Sequence, residues 1–335
     1  MRNPIKRLFT AIMVLTIASC SMDDSEILPP STGNAGDMVV VMDSAYWAGK
    51  SGEAIMRCFA SAQEGLPQAE PKFNVVKVRT EDFKRIFKTT RNIILVDIEG
   101  RFVPSKYSLK NNAWAKNQLV LSLLAKDDVS AAGILQKNCN NLVDRFRQEE
   151  YKRLISAFRR LSDASLVNQV AEVVGGKFSI PNDYKLARKD RDRIWLRKDF
   201  DHKGHQVSMG IIFYSIPYTS ETQLSVDSLV ANRNALTKMV EGPEAGSYMK
   251  VYEELIPPSR EFTWQKNYVR ELRGLWNMEG AFMGGPFVHY AFVDAKSGNL
   301  ICVDGYVFAP KFDKREFLRE LEAIALSGIE PAKQE

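Results

Sequence analysis

Four apolar runs and two helical stripes set out the plan of this chain. The first run, residues 8–17, follows the cations Arg2, Lys6 and Arg7. A bilayer span needs about 20 apolar residues, so this run reads as a secretory leader and not as a membrane helix. Residues 38–42 (MVVVM), 92–98 (NIILVDI) and 118–125 (QLVLSLLA) show little polar alternation, the pattern of strands buried on both faces. Between them, Ile55, Met56, Cys58 and Phe59 give a helix over 51–62. Residues 73–78 alternate as a strand does, and 83–87 form a short basic helix. The prolines of GLPQAEP, residues 65–71, exclude helix interior and mark a loop.

From 130 to 161 the spacing predicts one long helix. Leu135, Cys139, Leu142 and Phe146 share a face, and Leu154, Phe158 and Leu161 resume the same stepping. Ser162 or Asp163 caps a further short helix, which Gly175 and Gly176 end. Residues 177–199 then read as a hairpin turning at 189–192, followed by a third strand over 206–214. A helix over 225–240 and three strands over 262–276, 287–294 and 300–309 come next. Asp313 and Glu316 have the spacing of a capping box for the last helix, with Phe312 and Phe317 as its hydrophobic staple.

The fold class is therefore α/β (α+β), with two sandwich-like domains. The divisions are a leader over 1–19, a flexible tether over 20–36, an α/β domain with the long helix over 37–175, and a second domain over 177–330. The second is an antiparallel sheet with flanking helices, in the order three strands, a helix, three strands and a helix.

Charge changes this picture little. The whole chain carries +5, but without the leader 43 basic residues face 41 acidic ones, a net of +2. That balance excludes a general field for nucleic acid or anionic lipid. Of four cysteines, Cys58, Cys139 and Cys302 fall in apolar patterns, and we expect them to be buried and unbridged.

The leader ends Ile17-Ala18-Ser19-Cys20, which resembles the lipobox of bacterial lipoproteins. The resemblance implies cleavage before Cys20, acylation of Cys20, and attachment to a membrane of the cell envelope. That membrane is expected to be the outer one, with the protein facing the periplasm or the surface. Asp23, Asp24 and Glu26 resemble the acidic signals that carry some lipoproteins to the surface. Over nearly all the mature chain, VVVMDSAYW, GLPQAEP, FKRIFKTTRNII, IPNDYKLARKD, IWLRKD and RELRGLWNMEGAFMGGPFV resemble the domain-of-unknown-function family 4837. That family implies a bacterial lipoprotein and no activity. The ending of the second domain is also similar to the α/β/α sandwich of the photosystem oxygen-evolving accessory proteins.

Candidate chemistry is sparse. Asp43 and Asp97 end two buried strands, where open α/β sheets place catalytic groups, and a hydrolase-type enzyme with a divalent cation would use them. No phosphate loop and no GxSxG accompanies them. His202 and His205 have a metal-pair spacing but flank a Lys-Gly turn, so neither a metal nor a cofactor is expected. MGGP, residues 283–286, reads as a turn. The densest group of arginine and aromatic residues includes Tyr268, Arg270, Arg273 and Trp276, with Met283 beyond them. Such residues dominate binding hot spots. This edge, in or beside the groove between the domains, is the expected contact with an envelope protein or glycan. The reading is a binding or assembly module anchored through Cys20, not an enzyme.

Overall fold

MVVVM and NIILVDI become neighbouring central strands in the computed structural model, which describes residues 28–100 and 104–330. The leader, Cys20 and the tether to residue 27 lie outside the described residues. In chain order the first domain contains β1 (Asp37–Val41), α1 (Ser44–Trp47), α2 (Lys50–Phe59), β2 (Asn74–Val78), α3 (Arg85–Lys88), β3 (Asn92–Ile98), β4 (Lys106–Asn111), β5 (Leu119–Ala125) and α4 (Asp128–Leu161). The sheet runs β2-β1-β3-β5-β4, with β4 antiparallel and every other pair parallel. One face, Met38, Val40, Ile94 and Leu121, packs under α2 and α4. The other, Val39, Val41, Ile93 and Val120, lies beneath Phe83, Phe87 and Trp114. Burial on both faces is why these strands show no alternation. β4 (KYSLKN) is exposed throughout and gave no apolar signal, as befits a polar edge strand.

The second domain holds α5 (Ala164–Val174), β6 (Lys185–Lys189), β7 (Arg193–His202), β8 (His205–Pro217), α6 (Val226–Thr237), β9 (Tyr248–Val251), β10 (Ser259–Trp264), β11 (Asn267–Glu279), β12 (Gly284–Val293), β13 (Asn299–Phe308) and α7 (Arg315–Ser327). Its antiparallel sheet runs β10-β11-β12-β13-β8-β7-β6, and β9 pairs with the end of β11. α5, α7 and the C-terminal turns of α4 cover one face through Val170, Leu321, Tyr151 and Phe158. α6 covers the other through Leu229 and Leu236. The sheet thus has eight strands, two more than the sequence pattern gave. The expected strand over 262–276 is a hairpin, because Gln265 and Lys266 turn the chain at φ 51° and 67°. A Gln-Lys turn carries none of the glycine or asparagine that usually announces one.

Four further expectations are corrected. The Gly175–Gly176 boundary is too late, because Leu166, Val170 and Val174 of α5 pack into the second domain. The tether is not free over residues 28–36. Pro30 bridges to Lys116 and Thr32 to Thr90 across the first domain.

Cys58 and Cys139 are not unbridged. They form a disulfide between α2 and α4, with Cα atoms 5.5 Å apart. Apolar faces of packed helices are where side chains meet, so the burial that argued for isolated thiols is what joins them. Cys302 is free and buried, and burial pushes its thiol up to about 12.

Nor does Asp313 cap α7. The Glu70 carboxylate, from the GLPQAEP loop of the other domain, accepts from the backbone N–H of Lys314 and of Arg315, each at 2.7 Å.

Candidate functional site at the domain junction

The GLPQAEP loop reaches the second domain because Gly65 lies directly against β11. A Cβ on Gly65 would sit 2.7 Å from that of Arg273, and its φ of +76° also favours glycine. Beyond Glu70, the loop is held by the Arg315 guanidinium on the Pro71 carbonyl and by Arg319 on the Lys72 carbonyl at 3.2 Å. Lys314 Nζ donates to Gln68 Oε1 at 2.9 Å. Deeper in the junction, Glu271 accepts from Arg260, Arg273 and the Tyr290 hydroxyl, and Glu322 from Arg273 and the Tyr151 hydroxyl. Burial pushes the Glu271 carboxyl up, but Arg273 and Arg260 override it and hold it well below its usual 4.5.

This loop forms one wall of a cavity of about 710 Å³. Pro67 and Gln68 face Trp276, Asn277 and Met278 of β11, the hairpin tip from Ala281 to Gly285, Phe308 at the end of β13, and Pro310 and Lys314 beyond it. Tyr252 closes the side from the β9–β10 loop. The hairpin tip is shaped by Gly280 at φ +80° and by the Met278 N–H donating to the Met283 carbonyl at 2.9 Å. Gly284, Gly285 and Pro286 belong to β12 and not to a turn. A Cβ on Gly285 would lie 2.0 Å from the Val307 carbonyl oxygen, so only glycine lets β13 pass. Trp276 is 2% exposed, edge-on to Tyr306 and near Phe308, and its Nε1 has no partner. Phe282 projects from the rim at 107% exposure.

The five residues expected to form a binding edge do not share one surface. Trp276 and Met283 line the cavity. Tyr268, 46% exposed, and Arg270, bonded to Glu261 and Ser259, lie toward the other end of β11. Eight residues of strand separate Tyr268 from Trp276, roughly 26 Å. Arg273 faces the opposite side of the sheet and is consumed by Glu271 and Glu322. Tyr252, Phe308, Pro67 and Gln68 carried no local signal of a site, although GLPQAEP stood out as a segment. Only folding brings them together.

Asp43 caps α1, its carboxylate accepting from the Ala45 N–H at 2.8 Å. Asp97 is exposed beside Lys106 and Tyr107 along a separate surface cleft. No group of three or more His, Cys, Asp or Glu able to hold a metal occurs among the described residues. His202 and His205 pack against Phe312 instead, at ring distances of 4.6 and 5.9 Å. His289 is buried with Nδ1 3.2 Å from Asp304, which also accepts from Arg233 Nε at 2.7 Å. This triad pins α6 to the sheet.

Residues 163–327 match the family model described as "Domain of unknown function (DUF4837)", and residues 31–159 match "Domain of unknown function (DUF8532)". A solved structure of a Protein Mog1 mutant aligns at a TM-score of 0.26 and 13% identity, covering 44% of this chain and 82% of that one. No curated protein matches.

Proposed function

With its C-terminal half a member of the DUF4837 family, whose description carries no activity, we propose that this chain is a lipid-anchored binding or assembly component of the cell envelope, engaging its partner at the junctional cavity. The observation that carries the reading is the cavity itself. It is apolar, lies between two domains, and is rimmed by a phenylalanine that packs against nothing. Junctions between domains are preferred places for ligand sites, and exposed apolar rims mark contact surfaces. The Cys58–Cys139 disulfide supports export to an oxidising compartment. The lipobox-like ending at Cys20 supports an acyl anchor, each buried CH₂ contributing about 0.8 kcal/mol.

The test has two parts. Cys20→Ala is expected to leave the chain unlipidated and uncleaved at that position, as fractionation and mass spectrometry would show; lipid on the mutant chain contradicts the anchor. Affinity capture from membranes with the anchor intact is expected to recover a partner that Phe282→Asp loses at unchanged thermal stability. Equal recovery with both chains rules the cavity out as the binding site.

A further inference from the structure

The chemistry of the junctional cavity narrows what it accepts. Resting on the binding reading above, we propose that its occupant is a protein segment presenting a large apolar side chain next to a lysine or arginine. Most polar groups at the cavity are already committed to one another, the exceptions being Trp276 Nε1 and Asn277 Oδ1, which are buried and have no hydrogen-bond partner. Gln68 Oε1 accepts from Lys314 Nζ at 2.9 Å, Gln68 Nε2 donates to the Phe312 carbonyl at 3.2 Å, and Lys314 Nζ also donates to that carbonyl at 2.6 Å. The Tyr252 hydroxyl donates to Glu254. A glycan entering here would lose water from many hydroxyls and find few free partners, a penalty of roughly 1–3 kcal/mol for each one left unpaired. Trp276, Met278, Met283, Phe308 and Pro67 offer instead an adaptable apolar floor, of the kind methionine-rich binding surfaces use.

The apolar surface also extends beyond the cavity. The loop that supplies Tyr252 carries Leu255 and Ile256, Ile256 being 89% exposed, and Phe282 stands on the neighbouring hairpin. A small molecule filling the cavity would leave these side chains in water, whereas a polypeptide covers both. The charge at the rim is negative. Glu253, Glu254 and Glu279 flank the lining residues Tyr252 and Met278 and lie beside Lys250, which is held 2.7 Å from Glu279 and 3.6 Å from Glu253. The cavity's own cation, Lys314, is buried with its Nζ donating to Gln68 and the Phe312 carbonyl. Carboxylates in excess at the rim favour a basic residue on the partner and oppose phosphate-bearing lipid headgroups.

The test uses the full lipidated chain in phosphatidylethanolamine nanodiscs and random dodecapeptides displayed on phage. The enriched peptides are expected to pair a large apolar residue with Lys or Arg. Synthetic copies should bind about tenfold more weakly to Phe282→Asp and to the double variant Glu253→Lys/Glu254→Lys, and should weaken with salt. All these positions are exposed, so unchanged melting of the variants separates loss of contact from loss of fold. Enriched peptides without basic residues, or binding indifferent to the charge reversal, overturn the proposal. So does the absence of any peptide whose binding depends on Phe282. Phe282-dependent binding of N-acetylglucosamine oligosaccharides would overturn it too, while leaving the cavity as the binding site.

Discussion

Two helices in this protein begin without a cap of their own and borrow one from elsewhere. Gly49 precedes α2 with no side-chain bond, and Asp128 of α4 accepts from the N–H groups of Lys50 and Ser51 at 2.7 and 2.9 Å. Lys314 precedes α7 with none, and Glu70 serves there. A carboxylate at a helix N-terminus satisfies orphan N–H groups and meets the positive end of the helix dipole. Glu70 is 3% exposed, so its loss also strands two buried donors. Glu70→Ala is expected to cost about 2 kcal/mol in urea unfolding and to speed amide exchange at the start of α7. Glu70→Gln, which keeps one acceptor oxygen, should recover part of it. Glu271 makes a pH-dependent contribution. Its carboxyl titrates well below 4.5 in the folded chain, so its stabilisation is complete above that value and is lost as pH falls through the lower folded one. The melting temperature should therefore drop on acidification below about pH 4.5. Glu271→Gln should cost about 3 kcal/mol at pH 7, by removing the buried carboxylate charge that Arg260 and Arg273 share, and should melt with a shallower acid limb.

At the scale of elements, α4 is the member both domains depend on. Leu135 and Phe146 belong to the first core, and Tyr151, Ile155 and Phe158 to the second. The disulfide secures its first half to α2 across 81 residues of sequence, a closure of about 4.5 kcal/mol in the chain-entropy model. Reductant, or Cys139→Ala, is expected to lower the urea midpoint correspondingly; an unchanged midpoint would remove the bridge from the stability account. Most of these elements were legible in the sequence because each buries a continuous run or a regular stripe. The failures share a cause. β4 sits at a sheet edge and is exposed throughout, β9 covers only four residues at the end of β11, and edge strand β10 alternates over mostly polar residues, so none of the three carries an apolar run. The Glu70 cap and the disulfide are long-range meetings, and the local pattern at Asp313–Glu316 pointed to a nearer partner than the one chosen. Trp276 and Met283, singled out by their type, both line the cavity. Tyr268, Arg270 and Arg273 were drawn in by proximity in sequence, yet strand length and strand face separate them from the cavity.

Polar contacts, many of them buried, join the two domains at their junction. Glu70, Arg315, Arg319, Arg273, Glu322 and Tyr151 tie α7 and β11 to the first domain and to α4, and Arg260 reaches Asp144 of α4 at 2.8 Å. The cavity is the apolar gap left at the edge of that junction, with one wall from each domain, so its shape depends on the lock beside it. The most direct test of the cavity as the contact site is photo-crosslinking in intact membranes, with a benzophenone amino acid at position 282 and, as a control, at position 129. Val129 is also exposed but lies outside the cavity lining. The expected result is a discrete adduct with a second polypeptide from position 282 and none from position 129. Adducts absent at both positions, or identical from both, would contradict the account.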